Sequence, residues 1–177
     1  MFDLPSYQQL LAAVDAAVTN NDKGDRFEDL CEYLLEQLEG VIIEYRDVLM
    51  AAEELDFVLW NAQTDSFLKA LDSTILVECK NWSQPAGAPS LFTFIGKMRL
   101  KSLKHGIFIA ANGVTGDFLN GNGGNGAVEI IKMALQEGIR VIVLNRADLD
   151  AITSIDQFTT LLRRRYSALF VHRLLQA

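Results

Sequence analysis

A chain of 177 residues, half of them hydrophobic, is long enough to bury one full core, so a single domain is expected. No run of about 18 apolar residues occurs, so no membrane span is expected, and the N-terminus lacks the basic and apolar regions of a signal peptide, which favours a cytoplasmic location. The net charge is −7, but residues 1–80 carry −12 and residues 81–177 carry +5. A polyanion would therefore contact mainly the second half of the chain.

Two amphipathic helices are predicted before the first strand. Residues 6–18 place apolar side chains at helical spacing, residues 20–24 are expected to break the pattern, and a second helix is predicted over residues 25–38. Glu28 lies at the border of the apolar stripe of this second helix. A glutamate at such a border is either a surface residue or an acid directed at the sheet.

Three strands are predicted next, and together they form an antiparallel meander. The predicted strands are Val41–Asp47, Glu54–Trp60 and Thr74–Asn81. Because side chains alternate along a strand, Glu78 and Lys80 share one face of the third strand and Cys79 points to the other. Asp56 lies at the equivalent place in the preceding strand, so we expect two acids and one lysine to form a cluster.

Such a cluster has the chemistry needed to hold a metal ion against a phosphodiester. Carboxylate oxygens are hard ligands that suit Mg²⁺, and a bound metal makes hydroxide available near neutral pH. The lysine of the cluster can orient the nucleophile or offset phosphate charge. A buried acid and lysine at a strand end would otherwise have to be paired or solvated.

Asp56, followed after a connection by Glu78-Cys79-Lys80, resembles the PD-(D/E)xK signature of the restriction-endonuclease-like nucleases. The surrounding sequence is similar to the Mrr-like branch of that superfamily, from about Lys23 to Asp150. One departure from the signature is that Leu55, rather than proline, precedes Asp56.

The resemblance implies an α/β fold whose mixed central sheet, an antiparallel meander plus parallel crossover strands, is flanked by helices. It also implies a Mg²⁺-dependent nuclease in which Mn²⁺ can substitute, acting on nucleic acid, with DNA preferred. Asp56, Glu78 and the main-chain carbonyl of Cys79 would ligate the metal, and Lys80 would position and help activate water. Glu28 would hold a second metal or a metal-bound water. A homodimer or a partner subunit is compatible with this assignment.

The second half of the chain supplies a lysine-bearing helix and a parallel pair of strands. A helix is predicted over residues 90–104, on which Lys97, Lys101 and Lys104 fall on one stripe. A lysine stripe is usually a solvated face, but its place after the catalytic strand makes it the first candidate for phosphate contact. Strands at residues 107–111 and 141–145, joined by a helix at 127–137, complete the sheet. Residues 121–126 are expected to be a flexible loop rather than a phosphate-binding loop.

The sequence predicts three segments in one domain: an N-terminal helix in residues 1–22, a nuclease-like core in 23–150 and a C-terminal helix in 151–177. Ser154 to Gln157 resembles a capping box for that last helix. Arg163 to Arg165 are interpreted first as a solvated or salt-bridged run and second as candidates for nucleic-acid contact. Cys31 and Cys79 are interpreted as buried thiols. Two alternatives to a DNA endonuclease stay open: a catalytically inactive module for assembly or nucleic-acid binding, and an RNA nuclease.

Overall fold

The computed structural model of the protein describes residues 1–50, 53–116 and 126–174. Within these ranges the chain forms six α-helices, five strands and one short 3₁₀ helix. The helices are α1 (Leu4–Ala16), α2 (Asn20–Glu36), α3 (Ala88–Leu100), α4 (Ala127–Gln136), α5 (Arg146–Asp150) and α6 (Ile155–Leu174). The strands are β1 (Val41–Met50), β2 (Glu53–Asn61), β3 (Thr74–Lys80), β4 (His105–Ala110) and β5 (Arg140–Leu144).

The five strands form one mixed sheet in the order β1-β2-β3-β4-β5. The first three strands are antiparallel neighbours, whereas β3–β4 and β4–β5 are parallel pairs. Parallel neighbours need a crossover connection, which α3 supplies between β3 and β4 and α4 supplies between β4 and β5. The predicted fold, an antiparallel meander extended by parallel crossover strands and flanked by helices, is confirmed.

Each face of the sheet has its own hydrophobic cluster. One cluster joins α1, α2 and the start of α6 to the sheet face that carries Ile75, Val77 and Cys79. The other joins α3 and α4 to the opposite face, where Leu76 and Phe108 are buried. The predicted alternation along β3 is therefore confirmed, and its polar end belongs to the face that α3 covers.

Gly106 allows α3 to pack closely against β4. A Cβ atom at this position would lie 2.8 Å from the sulfur of Met98 and 2.9 Å from the ring of Phe94, which is closer than such atoms approach each other. Phe94 also packs edge-to-face on Phe108, with ring centroids 5.5 Å apart. Together these contacts hold α3 against the sheet.

The prediction that residues 20–24 break the helical pattern is wrong. They form the first turn of α2, whose N-cap is Thr19, and the Thr19 hydroxyl accepts a hydrogen bond from the backbone N–H of Asp22 at 3.2 Å. Capping and the acidic Asp22 in the first turn favour a helix start there despite weak helix formers. The predicted strands and remaining helices occur, with limits shifted by a few residues.

The C-terminal helix begins as predicted, with the Ser154 hydroxyl accepting from the N–H of Gln157 at 3.3 Å. The side-chain oxygen of Gln157 accepts a hydrogen bond from the backbone N–H of Thr153 at 2.8 Å. Among the residues that the structure describes, no helix is long and apolar enough to cross a membrane. The glycine-rich segment 121–126 lies outside the described residues, except for Gly126, which is the N-cap of α4.

Candidate active site

The candidate site forms where β2 and β3 separate. Their antiparallel ladder ends at the pair Phe57–Val77, and the next residues beyond it are Asp56 on β2 and Glu78 on β3. The N–H of Cys79 donates to Oδ2 of Asp56 at 2.6 Å, so an acidic side chain bridges the two strands at this point. The local backbone thus holds Asp56 against β3.

Lys80 joins the two acids. Its Nζ lies 2.9 Å from Oε1 of Glu78 and 3.4 Å from Oδ2 of Asp56. Asp56 and Glu78 are buried, with 4% and 7% of their surface exposed, whereas Lys80 is partly accessible. The structure therefore brings together Asp56, Glu78 and Lys80, as the sequence predicts.

A second lysine reaches the same carboxylate from α3. Nζ of Lys97 donates to Oε2 of Glu78 at 2.7 Å and to the main-chain carbonyl of Glu54 at 2.6 Å. Only 7% of Lys97 is exposed. Because a buried ammonium is costly unless it is paired, these two contacts explain how α3 tolerates a lysine on its packed side.

This position contradicts the predicted stripe of three phosphate-binding lysines. Lys97 is buried in the acid cluster rather than exposed, α3 ends at Leu100 rather than at Lys104, and Lys101 is the C-cap of the helix. Lys104 follows the helix and is exposed. Contact of Lys101 and Lys104 with nucleic acid stays a prediction, but they do not form one helical stripe with Lys97.

Glu28 approaches the site from α2, on the other face of the sheet. Arg46 of β1 fixes this helix through ion pairs with Asp29, at 2.9 Å, and with Glu32. Burial, a hydrogen bond with Asp47 and the charge of Asp56 together raise the pKa of Glu28 to about 8. Glu28 is therefore within electrostatic reach of Asp56.

Burial and opposite charges act against each other on the pKa values of Asp56 and Lys80. Burial, followed by the charge of Glu78, raises the pKa of Asp56, although Lys80 and the N–H of Cys79 partly offset the increase. For Lys80, burial favours the neutral form, but the carboxylates of Glu78 and Asp56 outweigh it and raise its pKa. The two carboxylates thus stabilise the charge of Lys80, and Lys80 offsets only part of the cost of ionising Asp56.

A cleft of about 990 Å³ lies beside this cluster. Glu28, Lys80 and Asn81 line it, together with residues of α1, α2 and the segments that follow β3 and β4. Trp82, two residues after the end of β3, also borders the cleft and is about half exposed (49%).

The donor set suits a hard divalent cation. Asp56 and Glu78 already converge on one cationic group, the ammonium of Lys80, and carboxylate oxygens are the ligands that Mg²⁺ prefers. Among the described residues, however, no group of three or more His, Cys, Asp or Glu side chains is arranged to hold a metal ion. The acid pair fits the metal chemistry, and the participation of Glu28 and of the Cys79 carbonyl stays a prediction.

Sequence reasoning missed two features of the site. The pairing of Lys97 with Glu78 was not predicted, although Lys97 lies three residues after the buried Phe94 and so borders the packed side of α3. The second feature is the proximity of Cys31 to Cys79. Both are buried free thiols, as predicted, and burial together with the neighbouring Cys31 raises the pKa of Cys79.

Comparison with known proteins identifies the family. The family model described as restriction endonuclease, for the Mrr catalytic domain, matches residues 20–150. A search of curated proteins finds no match. Among solved structures, SfsA of Pyrococcus furiosus in complex with Ca²⁺ is similar at 19% sequence identity and a TM-score of 0.41, and the match covers 73% of this chain and 59% of SfsA. The family match spans most of the chain, including Asp56, Glu78 and Lys80, and the chain therefore belongs to the restriction endonuclease family of Mrr-like catalytic domains.

Proposed function

We propose that the protein is a Mg²⁺-dependent endonuclease that hydrolyses phosphodiester bonds in DNA. The observation that carries this proposal is the convergence of Asp56, Glu78 and Lys80 beside an open cleft. Family membership supports nuclease chemistry, whereas the metal and the substrate are parts of the proposal.

Asp56 and Glu78 would hold the metal, together with the main-chain carbonyl of Cys79 and, at a second position, Glu28. When bound, Mg²⁺ supplies hydroxide near neutral pH and offsets the charge that develops on the phosphate. The N–H of Cys79 keeps the Asp56 carboxylate in place through Oδ2. Asp56 is thus oriented before substrate arrives, which is a requirement for efficient catalysis.

Lys80 would orient the attacking water and contact a phosphate oxygen. Its ammonium group has three N–H donors, of which two point to the carboxylates of Asp56 and Glu78 and the third is left for water or phosphate. Because Lys80 lines the cleft, the same group can face a nucleic-acid strand. Its role is to donate hydrogen bonds and positive charge rather than to bind metal.

The distribution of charge indicates which half of the chain would contact a polyanionic substrate, but it does not distinguish DNA from RNA. The positive balance of residues 81–177 favours phosphate contact by that half of the chain, with Lys101 and Lys104 as candidates and the run Arg163–Arg165 as the next. Phosphate contacts carry no base or sugar identity, so DNA is proposed from the family and RNA is tested beside it. A role in restriction, defence or DNA processing, in the cytoplasm, is the context in which such an enzyme would act.

One observation favours a second candidate, a non-catalytic module that retains the fold. Both oxygens of the Glu78 carboxylate are paired with ammonium groups, Lys80 on Oε1 and Lys97 on Oε2. An acid that is permanently held in this way would serve to stabilise the fold and would leave metal binding to a partner or to none.

A cleavage assay separates the candidates. Supercoiled plasmid, linear duplex, single-stranded DNA and RNA are each incubated with Mg²⁺, Mn²⁺ or a chelator. Cleavage of DNA that requires a metal supports the proposal, and cleavage confined to RNA changes the substrate. Inactivity on all four, with no Mg²⁺ or Mn²⁺ binding by calorimetry, favours the non-catalytic module.

A further inference from the structure

Lys97 is a buried charged residue for which the proposed reaction has no use. It cannot contact a phosphate from its position, because 93% of its surface is covered and its Nζ is bound to Glu78 and to the carbonyl of Glu54. It reaches the acid pair from α3, whereas Lys80 lies on the same strand as Glu78. The site therefore contains two ammonium groups: that of Lys80 lines the cleft, and that of Lys97 is buried.

The charges of the ion-paired groups balance without a metal. Asp56 and Glu78 contribute two negative charges, and Lys80 and Lys97 contribute two positive charges. A divalent cation that binds the acids meets the positive charge of Lys97 and competes with it for Oε2 of Glu78. Like charges at close range repel most strongly where burial keeps water away.

We propose that Lys97 is an internal counter-ion of the acid pair, a positioning residue that holds Glu78 in the metal-free protein and lowers the affinity of the site for divalent cations. This inference rests on the proposed function, because it assumes that the acid pair binds metal. The contact with the Glu54 carbonyl anchors the ammonium to β2, so Lys97 does not simply swing away when a cation arrives.

The test measures Mn²⁺ affinity by calorimetry for the wild type and for Lys97→Gln, in which an amide can still donate a hydrogen bond but carries no charge. Removal of one positive charge beside a divalent cation should tighten binding by roughly tenfold. Lys97→Arg keeps the charge and should bind Mn²⁺ as the wild type does. Lys69→Gln removes an exposed lysine elsewhere and should also leave the affinity unchanged.

A purely structural role for Lys97 predicts equal or weaker Mn²⁺ binding in Lys97→Gln, and that result overturns the inference. Should Lys97→Gln not fold, Lys97→Met, which has a long apolar side chain, replaces it in the same comparison. The coupling to Glu78 is measured in a double-mutant cycle: the gain in Mn²⁺ affinity caused by Lys97→Gln in the wild type should be absent when the same substitution is made in Glu78→Gln, and an equal gain in both backgrounds overturns the inference. If the wild type cleaves DNA and Lys97→Gln binds Mn²⁺ with unchanged affinity, only the role of Lys97 as a counter-ion is refuted. If the wild type neither binds Mn²⁺ nor cleaves nucleic acid, the proposed function is refuted as well.

Discussion

Glu28→Gln should stabilise the metal-free protein, and the gain should grow with pH. The carboxyl group of Glu28 has its pKa raised from 4.5 to about 8 by burial, by a hydrogen bond with Asp47 and by the charge of Asp56. A glutamine has nearly the shape of the protonated acid but no charge to lose. The substitution therefore removes an ionisation that the folded protein resists.

The sign follows from proton linkage. Because the folded state binds this proton more tightly than the unfolded chain, the contribution of protonated Glu28 to stability is fully present below a pH of about 4.5. It is lost as the pH rises through about 8. Each unit of pH within this window costs up to about 1.4 kcal/mol, which gives at most about 3 kcal/mol at pH 7. Since Glu28 is only half-buried, we expect a gain of about 1–3 kcal/mol for Glu28→Gln at that pH.

Urea unfolding in the presence of a chelator measures this gain. The free energy of unfolding is compared for the wild type and Glu28→Gln near pH 5, 7 and 9, and the difference should rise with pH. Glu36→Gln, on the same helix but exposed, is the matched control for the replacement of a helical glutamate by its amide. If the two substitutions change the free energy of unfolding equally and independently of pH, the reasoning is refuted and Glu28 behaves as a surface residue.

Three further outcomes are expected. Asp56→Asn, Glu78→Gln and Lys80→Ala should each lower the cleavage rate by orders of magnitude while circular dichroism stays unchanged, and full activity of folded Glu78→Gln would contradict the proposed site. Replacing Lys101 and Lys104 with glutamate should weaken DNA binding and flatten its log–log salt dependence by roughly one unit per lost phosphate contact, whereas an unchanged slope would direct attention to Arg163–Arg165. Burial lowers the pKa of His105, so the stability that its neutral form provides should be present above about pH 6.5 and lost as the pH falls through its lower folded value. His105→Gln should remove that part of the acid sensitivity, as measured by urea unfolding near pH 7 and pH 5.

The positions of Glu78 and Lys80 could be predicted from the sequence because strand periodicity is short and local. Alternation alone places them on one face of β3, and on the neighbouring antiparallel strand Asp56 lies one residue beyond the last pair of the ladder, Phe57–Val77. The mixed sheet could also be predicted from the sequence, because apolar runs separated by a helix imply a parallel crossover. Both predictions follow from the pattern of residues within each strand and from the order of strands and helices along the chain.

The role of Lys97 could not be predicted in the same way. Its helical position borders the packed side of α3, where a lysine usually extends its ammonium to solvent. Only the three-dimensional structure shows that the neighbouring surface is occupied by the carboxylate of Glu78 and the carbonyl of Glu54. The start of α2 was missed for a related reason, since a cap at Thr19 outweighs the weak helix propensity of the residues after it.

The end of the β2–β3 ladder explains why this one place in the sheet can hold so many charges. Two carboxylates directly opposite each other on paired strands would repel, and a closed ladder would leave little room for cationic side chains between them. Where the strands separate, the Cys79 N–H is satisfied by Asp56 and the Glu54 carbonyl by Lys97, so the backbone groups at the opening remain hydrogen-bonded. The same side chains that satisfy the backbone therefore neutralise the acids, and a divalent cation entering the site has to replace ammonium contacts rather than fill an uncompensated negative cluster.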